Sequence, residues 1–209
     1  MPLIGEGEVL YKGKQISTKR VLDQENKLPL KLKEKEGLAL INGTQFISAF
    51  TCFSLAKFKN CLINADIISA FTIEATKSSI KPFSNKIQNL RPYNGSSIVI
   101  NTVNELLLDS EILQSHQDCN KVQDPYCMRC IPHIHGTSWD VFLNTEKTIN
   151  NEINSISDNP LIFPNRTIRN SGHFHAEPIA QSLDSLSIAI SEIGAISERR
   201  IHYIMKGAD

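Results

Sequence analysis

Apolar residues recur at helical spacing along most of this chain. Between Gln45 and Ile80 there is neither Gly nor Pro, and Phe46, Phe50, Phe53, Leu55, Phe58, Leu62, Ala65, Ile68 and Phe71 follow one another two to four apart. That spacing predicts one long helix, or two with a slight break, approaching ~50 Å at about 1.5 Å per residue. Residues 81–95 hold two prolines and a glycine and read as a connector. From Ser96 to Asp124 the punctuation disappears again, and Val99, Ile100, Val103, Leu106, Leu107, Ile112 and Leu113 form a second apolar face. A third helix is expected from about Gly136 to Ser155, through Trp139, Val141, Phe142, Ile149 and Ile153. It must stop before Pro160, whose predecessor disfavours helical backbone. Ser157-Asp158-Asn159-Pro160 is turn chemistry, and residues 162–172 read as a loop. A fourth helix starts near Pro178, a residue tolerated in a first turn. Its Ile179, Leu183, Leu186, Ile190 and Ile193 alternate four and three apart, the seam of helices that cross at shallow angles. Gly194 weakens that helix by roughly 1 kcal/mol relative to Ala and marks a close helix approach or nothing. The expected fold class is all-α. Leu3-Ile4-Gly5 begins in mid-pattern and the chain closes on an apolar-basic helix, so it reads as incomplete at both ends.

Composition narrows the function classes. A chain of 209 residues suits one domain or two small ones. Lys plus Arg number 22 and Asp plus Glu number 22, so no net charge steers the chain to nucleic acid or an anionic membrane. No uninterrupted apolar run approaches the ~18–20 residues of a membrane span. The first residues lack the basic and apolar regions of a secretory signal. Five cysteines, an odd number, then read as reduced thiols of a cytoplasmic protein. On that reading the Asn-x-Ser/Thr matches at Asn42, Asn94 and Asn165 are chance.

Four segments carry candidate chemistry. Glu36-Gly37-Leu38-Ala39-Leu40-Ile41-Asn42-Gly43-Thr44-Gln45 puts an uncharged polar cluster directly after an apolar run. If buried, its amides must be paired, because an unmet one costs about 1–3 kcal/mol. Val122-Gln123-Asp124-Pro125-Tyr126-Cys127-Met128-Arg129 gathers an amide, a carboxylate, a phenol and a guanidinium at a loop-to-helix junction. An arginine fork grips a carboxylate at two points, a phenol relays a proton, and an amide orients polar atoms. The same residues also suit a helix cap with a surface salt bridge. Phe174-His175-Ala176-Glu177-Pro178 precedes a helix whose N-terminus favours Glu177. Cys127, Cys130, His133 and His135 have the residue types of a zinc site. Their crowding into nine residues, with Arg129 between them, opposes one. His173 and His175 are a weaker pair of the same kind.

Taken together, the segments resemble the aromatic amino acid ammonia-lyases. The matches run in order through Leu3-Ile4-Gly5-Glu6-Gly7, Lys35 to Gln45, Ser115-His116, Cys119, Lys121 to Tyr126, Arg129-Cys130, Ser157 to Pro160, Phe174 to Pro178 and Ser197-Glu198-Arg199-Arg200-Ile201. Phe174-His175-Ala176-Glu177-Pro178 is similar to the histidine branch; the phenylalanine branch typically reads Phe-Gln-Gly-Thr-Pro. The resemblance implies an ammonia-lyase/fumarase-like bundle of long, nearly parallel helices, with residues 1–209 the central part of a single helical domain. It implies a homotetramer whose active sites are shared between subunits. It further implies non-oxidative deamination of L-histidine to urocanate and ammonia, with no metal and no external cofactor. The electrophile of the family is a methylidene-imidazolone made from an Ala-Ser-Gly tripeptide.

Carried over, Asn42 would hydrogen-bond near that electrophile and Tyr126 would support it as the second catalytic residue. Arg129 would bind the substrate carboxylate, Gln123 would orient the substrate, Phe174 would wall the pocket, and Glu177 would lend support. The departures are specific. These residues contain no Ala-Ser-Gly, nor the upstream tyrosine base, Gly-rich substrate loop and downstream glutamate of the family. His133 stands where the family has Gln, and His173 where it has Asn. The expectation is a chain inactive by itself. The rival expectation is a non-catalytic relic or assembly module that associates with other lyase chains.

Overall fold

A computed structural model of the chain describes residues 1–116, 118 and 122–207. Cys119 and Lys121 of the resemblance lie outside the described residues. In chain order the elements are strands β1 (Glu8–Tyr11) and β2 (Lys14–Ser17), helices α1 (Thr18–Gln24), α2 (Glu36–Ala39), α3 (Gln45–Ala75), α4 (Asn85–Gln88), α5 (Asn94–Leu106), α6 (Glu111–Ser115), α7 (Tyr126–Arg129) and α8 (Ile131–Ile153), strands β3 (Leu161–Ile162) and β4 (Ile168–Arg169), and helix α9 (Glu177–Met205). They fall into two compact units, 1–43 with 158–174, and 44–157 with 175–209. Helices dominate, as expected.

The smaller unit holds both antiparallel hairpins. The first closes on Lys12 and Gly13, both at positive φ (50° and 77°), the two-residue turn that matches strand twist. The alternation of Val9, Tyr11 and Ile16 against exposed Leu10 is short, and the helical reading passed over it. The second hairpin replaces the expected loop after Pro160. Asn165 Oδ1 accepts from both the amide and the hydroxyl of Thr167 and shapes its turn.

The larger unit is helical. α3 is one unbroken helix of 31 residues, about 46 Å long. Its buried face takes in four of the nine apolar residues that mark the helix in sequence, Leu55, Phe58, Leu62 and Ala65, and excludes the other five. Ser48, Thr51, Leu55, Phe58, Leu62, Ala65, Asp66, Ser69, Thr72 and Ile73 face inward, whereas Phe46, Phe50, Phe53, Ile68 and Phe71 are exposed. The inward hydroxyls of Thr51, Ser69 and Thr72 donate to carbonyls four residues back, so they enter the core already satisfied. Among the described residues α3 is also the one helix long and apolar enough, by length and composition, to cross a membrane, although polar residues interrupt it throughout. Here it is the helix on which the others pack.

The stretch from Ser96 breaks after α5, where Asp109 takes a positive φ of 62° and the Ser110 hydroxyl accepts from the Leu113 amide to start α6. Leu106 and Ile112 point outward. α8 begins at Ile131, with Pro132 in its first turn, five residues before the expected start. In α9 the seam runs through Ile179, Leu186, Ala189, Ile193, Ile196 and Arg200, with Ala189 in place of exposed Ile190. The small Ala189 lets α8 approach, and Ser138 Oγ donates to its carbonyl oxygen at 3.2 Å.

α8 packs against α3, α5 and α9 at once. Its crossing with α5 is a backbone contact. A Cβ on Gly95 would stand 1.9 Å from the Gly136 carbonyl oxygen, and one on Gly136 would stand 2.5 Å from the Ser96 nitrogen. Because α5 has no side-chain cap of its own, Asp140 of α8 supplies one, its Oδ1 accepting from the Gly95 amide at 2.8 Å. Around Gly194, by contrast, there is open space.

A buried charge cluster joins α3, α8 and α9. Asp66, His135 and Arg200 are 1%, 0% and 3% exposed. His135 Nδ1 lies 2.7 Å from Asp66 Oδ1, Trp139 Nε1 donates to Asp66 Oδ2 at 2.8 Å, and Arg200 Nη1 lies 3.3 Å from His135 Nε2. A guanidinium only donates, so Nε2 accepts and the proton sits on Nδ1, facing the carboxylate. Burial lowers the His135 pKa below its ordinary value, against the pull of Asp66, and Arg200 lowers it further. Burial likewise lowers the Arg200 guanidinium.

Gly95→Ala and Gly136→Ala each force the α5–α8 crossing apart. Each should cost at least about 1–3 kcal/mol in denaturant unfolding. Gly194→Ala, facing open space, should instead stabilise by roughly 0.5–1 kcal/mol. The His135 shift fixes a sign as well. A folded pKa below the ordinary 6.5 means that the fold favours the neutral ring. Its stability contribution is complete above pH 6.5 and is lost as pH falls through the folded pKa. His135→Gln should therefore be less stable than wild type at pH 8, with the gap narrowing below pH 6.5; a gap that widens on acidification would contradict the assigned tautomer.

Candidate active site

Tyr126 and Arg129 occupy a single helical turn between Pro125 and Cys130. Pro125 ends the preceding extended segment, and its carbonyl accepts from the Met128 and Arg129 amides. Met128 and Ile131 plug the turn into the core, so the start of α8 is rigidly placed. Cys130 both ends α7 and precedes α8.

The Arg129 guanidinium stacks on the Tyr126 ring at 4.6 Å from its centroid. A stacked cation gains dispersion and quadrupole attraction without using its hydrogen-bond donors. Arg129 Nε is buried and has no hydrogen-bond partner among the described residues. Arg129 also forms no ion pair among them. A donor of this kind, with its charge unpaired, is set to receive an anion. The Tyr126 phenol is exposed, at 72%.

Arg129 opens onto a cavity of about 770 Å³, the size of a small-molecule site. Gln123 and Asp124 line it from the segment before α7, Cys130 and His133 from beyond it, and Lys77 to Pro82 from the loop after α3. Asp124 is buried and accepts from the Ser79 amide at 2.7 Å, which holds the lysine-bearing loop against the Gln123 segment. Lys77, Lys81, Arg129, His116 and His133 give the lining an excess of basic groups over Asp118 and Asp124. Burial lowers the His133 pKa, and the charge of Arg91 lowers it further, so its ring is neutral near pH 7.

The structure thus brings Gln123, Tyr126 and Arg129 together in the larger unit. Glu177 is in the same unit as the exposed first residue of α9, where its carboxylate accepts from Gln181 Nε2 at 3.0 Å. Asn42 and Phe174 belong to the smaller unit. Asn42 is half-buried, its amide donating to the Leu38 carbonyl at 2.8 Å. The apolar run before it is exposed, with Leu38, Leu40 and Ile41 all facing outward. Thr44, two residues on, is buried and donates to Glu152 Oε1 at 2.5 Å.

The Cys and His residues whose crowding opposed a zinc site separate in the fold. His135 is committed to Asp66 and Arg200, while His133 and Cys130 face the cavity. Among the described residues no group of three or more His, Cys, Asp or Glu side chains is placed to hold a metal ion. The reading from sequence missed the cavity wall from Lys77 to Pro82. No spacing signal could have found it, because these residues lie more than forty positions from Arg129 and meet it only through the fold.

The profile of the family described as aromatic amino acid lyase matches residues 1–208, and the chain belongs to that family. It is 41% identical over 204 residues to a histidine ammonia-lyase of Natranaerobius thermophilus, covering 97% of this chain and 40% of that protein. Its fold superposes on the histidine ammonia-lyase of Trypanosoma cruzi with a TM-score of 0.84 at 35% identity, covering 96% of this chain and 38% of the other. A tyrosine aminomutase from Streptomyces globisporus superposes at 0.88 with 31% identity, over 97% and 42%. The chain therefore spans about two fifths of the length of these relatives.

Burial raises the Cys127 thiol above its ordinary pKa, more than Arg200 lowers it, whereas Cys52 and Cys61 are exposed. Thiolate is the reactive form. Iodoacetamide at pH 7.5 should label Cys52 and Cys61 well before Cys127, as peptide mass spectrometry would read.

Proposed function

We propose that this chain supplies the substrate-anchoring part of a histidine ammonia-lyase, which deaminates L-histidine to urocanate and ammonia. The observation that carries the reading is the Arg129 guanidinium, stacked on Tyr126, without an ion pair among the described residues, and open to a basic cavity. An α-amino acid presents a carboxylate that this fork receives, with Gln123 on the same wall to orient it. The high identity to histidine ammonia-lyases over nearly the whole chain favours histidine. In this reading all 209 residues are the central part of one helical domain of a cytoplasmic homotetramer.

The polar side chains that line the cavity are an amide, a guanidinium, lysines, imidazoles, carboxylates, serine hydroxyls and a thiol, with the Tyr126 phenol ring stacked on the guanidinium. None is an electrophile, and the sequence contains no Ala-Ser-Gly from which a methylidene-imidazolone forms. These residues do not fit that group as its source, so the electrophile must be contributed by other polypeptide. For Asn42, Tyr126, Phe174 and Glu177 the proposed roles are those that the resemblance implies.

A second reading has its own observation. Phe46, Phe50, Phe53 and Phe71 leave a row of aromatic rings exposed on α3, a face suited to a non-catalytic module that assembles with other lyase chains.

The native polypeptide from the source organism, given L-histidine, should produce urocanate, followed by its ultraviolet absorbance. Arg129→Met should then lower kcat/KM by about 10- to 150-fold, the worth of a hydrogen bond to a charged group. Arg129→Lys should recover only part of it, because an ammonium lacks the planar fork. No urocanate from the wild type sinks the lyase reading and leaves the assembly module.

A further inference from the structure

The smaller unit is made of two chain segments, 1–43 and 158–174. Each carries one candidate site residue, Asn42 in the first and Phe174 in the second. Among the described residues, both hydrogen bonds that join these segments come from one group, the Lys35 ammonium. Its Nζ donates to Asp158 Oδ2 at 2.5 Å and to the Pro160 carbonyl at 2.6 Å, across 123 and 125 positions of sequence. Both side chains of the ion pair are only about a quarter exposed, at 25% and 27%. A charge-assisted pair with partial cover is screened less than a surface pair.

From Lys35 a continuous path runs each way. On one side Lys35 is the left-handed residue (φ 69°) that opens α2, and its carbonyl accepts from the Ala39 amide. The turn then ends with the Asn42 amide donating to the Leu38 carbonyl at 2.8 Å. On the other side Asp158 Oδ1 accepts from the Asn159 amide at 2.7 Å. Asn159 Oδ1 in turn accepts from the Ser171 amide at 2.7 Å, and the Ser171 hydroxyl accepts from the His173 amide at 3.3 Å, next to Phe174. Neither α2, four residues long, nor the two-residue strands β3 and β4 hold such loops by their own cooperativity.

We infer that Lys35 is a positioning residue: its ammonium, shared between Asp158 and Pro160, fixes the Asn42 loop and the Phe174 loop in one geometry. It touches no substrate and acts through those two loops. The inference rests on the lyase reading for its catalytic consequence, and its structural half can be tested without any reaction.

Hydrogen exchange resolved at the Asn42 and Ser171 amides tests the tether. In Lys35→Met both amides should exchange about tenfold faster. In Lys35→Arg, which keeps charge and donors, both should stay at wild-type rates. Residue 35 remains a non-glycine residue at positive φ in both variants, so backbone strain does not separate them. Wild-type exchange at both amides in Lys35→Met overturns the tether. Turnover by the native polypeptide tests the consequence. Lys35→Met should lower kcat by about tenfold to a hundredfold with little change in KM, since the carboxylate grip of Arg129 is untouched, and Lys35→Arg should restore it. Altered exchange with unchanged kcat overturns the positioning role. A wild type that forms no urocanate defeats the lyase reading and with it the catalytic half, while the exchange rates alone still decide the tether.

Discussion

A carboxylate taken almost wholly out of water must be paired and hydrogen-bonded, and Asp66 makes that demand at the centre of the helical unit. Both of its oxygens are used, one by His135 and the other by Trp139, two residues one helical turn apart on α8. The far side of the His135 ring is used by Arg200 of α9. Three helices are thus held to one register by groups that cannot slide. An apolar face alone tolerates a shift of a turn; removing one partner of a buried pair costs about 3–5 kcal/mol. With α8 fixed against α3, the crossing at Gly95 and Gly136 places α5 as well. The start of α8, which follows directly on the turn bearing Tyr126 and Arg129, inherits that rigidity.

The helices were legible in the sequence as tracts free of Gly and Pro, but not which face of α3 turns inward. The exposed phenylalanines stood beside Leu55, Phe58, Leu62 and Ala65 in the pattern, while the Ser, Thr and Asp residues that complete the core face did not register as core. The reason is that Thr51, Ser69 and Thr72 satisfy their hydroxyls on their own helix, so their burial requires no partner that a pattern could reveal. The same blindness applies to Asp66, whose partners stand 69 and 73 positions away. Ile190 was read into the α9 seam in place of Ala189 because a large apolar residue scores as core while a close helix approach calls for a small one. The Lys12-Gly13 turn was local and readable, but four-residue strands leave too short an alternation to compete with a helical reading.

The candidate site divides along similar lines. Gln123, Tyr126 and Arg129 were legible because one loop and one turn hold all three, and local order suffices to gather them. The lysine-bearing wall after α3 was not, because only the packing of α3 on α8, and the hold of Asp124 on the Ser79 amide, bring it to the same cavity. His133 drew notice through its closeness to Cys130 and His135, whose crowding opposed a shared metal, and the helix turns successive residues to different sides. His135 points into the core and His133 into the cavity.

Most of the segments that carry the family resemblance coincide with loops and helix starts: the turn before α3, the junction into α8, the bend at Pro160 and the entry to α9; Ser197 to Ile201, inside α9, is the exception and carries the buried Arg200. Helix interiors accept many apolar residues of similar size, so their sequence records little beyond period. Helix ends and bends need particular groups, a proline to stop a segment, a left-handed residue to open a turn, a carboxylate to meet an ammonium. They are also where side chains can face a ligand while the backbone behind them stays fixed. Arg129 shows the two demands meeting. Tyr126 and the core side chain of Met128 hold its turn, and the guanidinium, without an ion pair among the described residues, keeps its charge for something that arrives from outside.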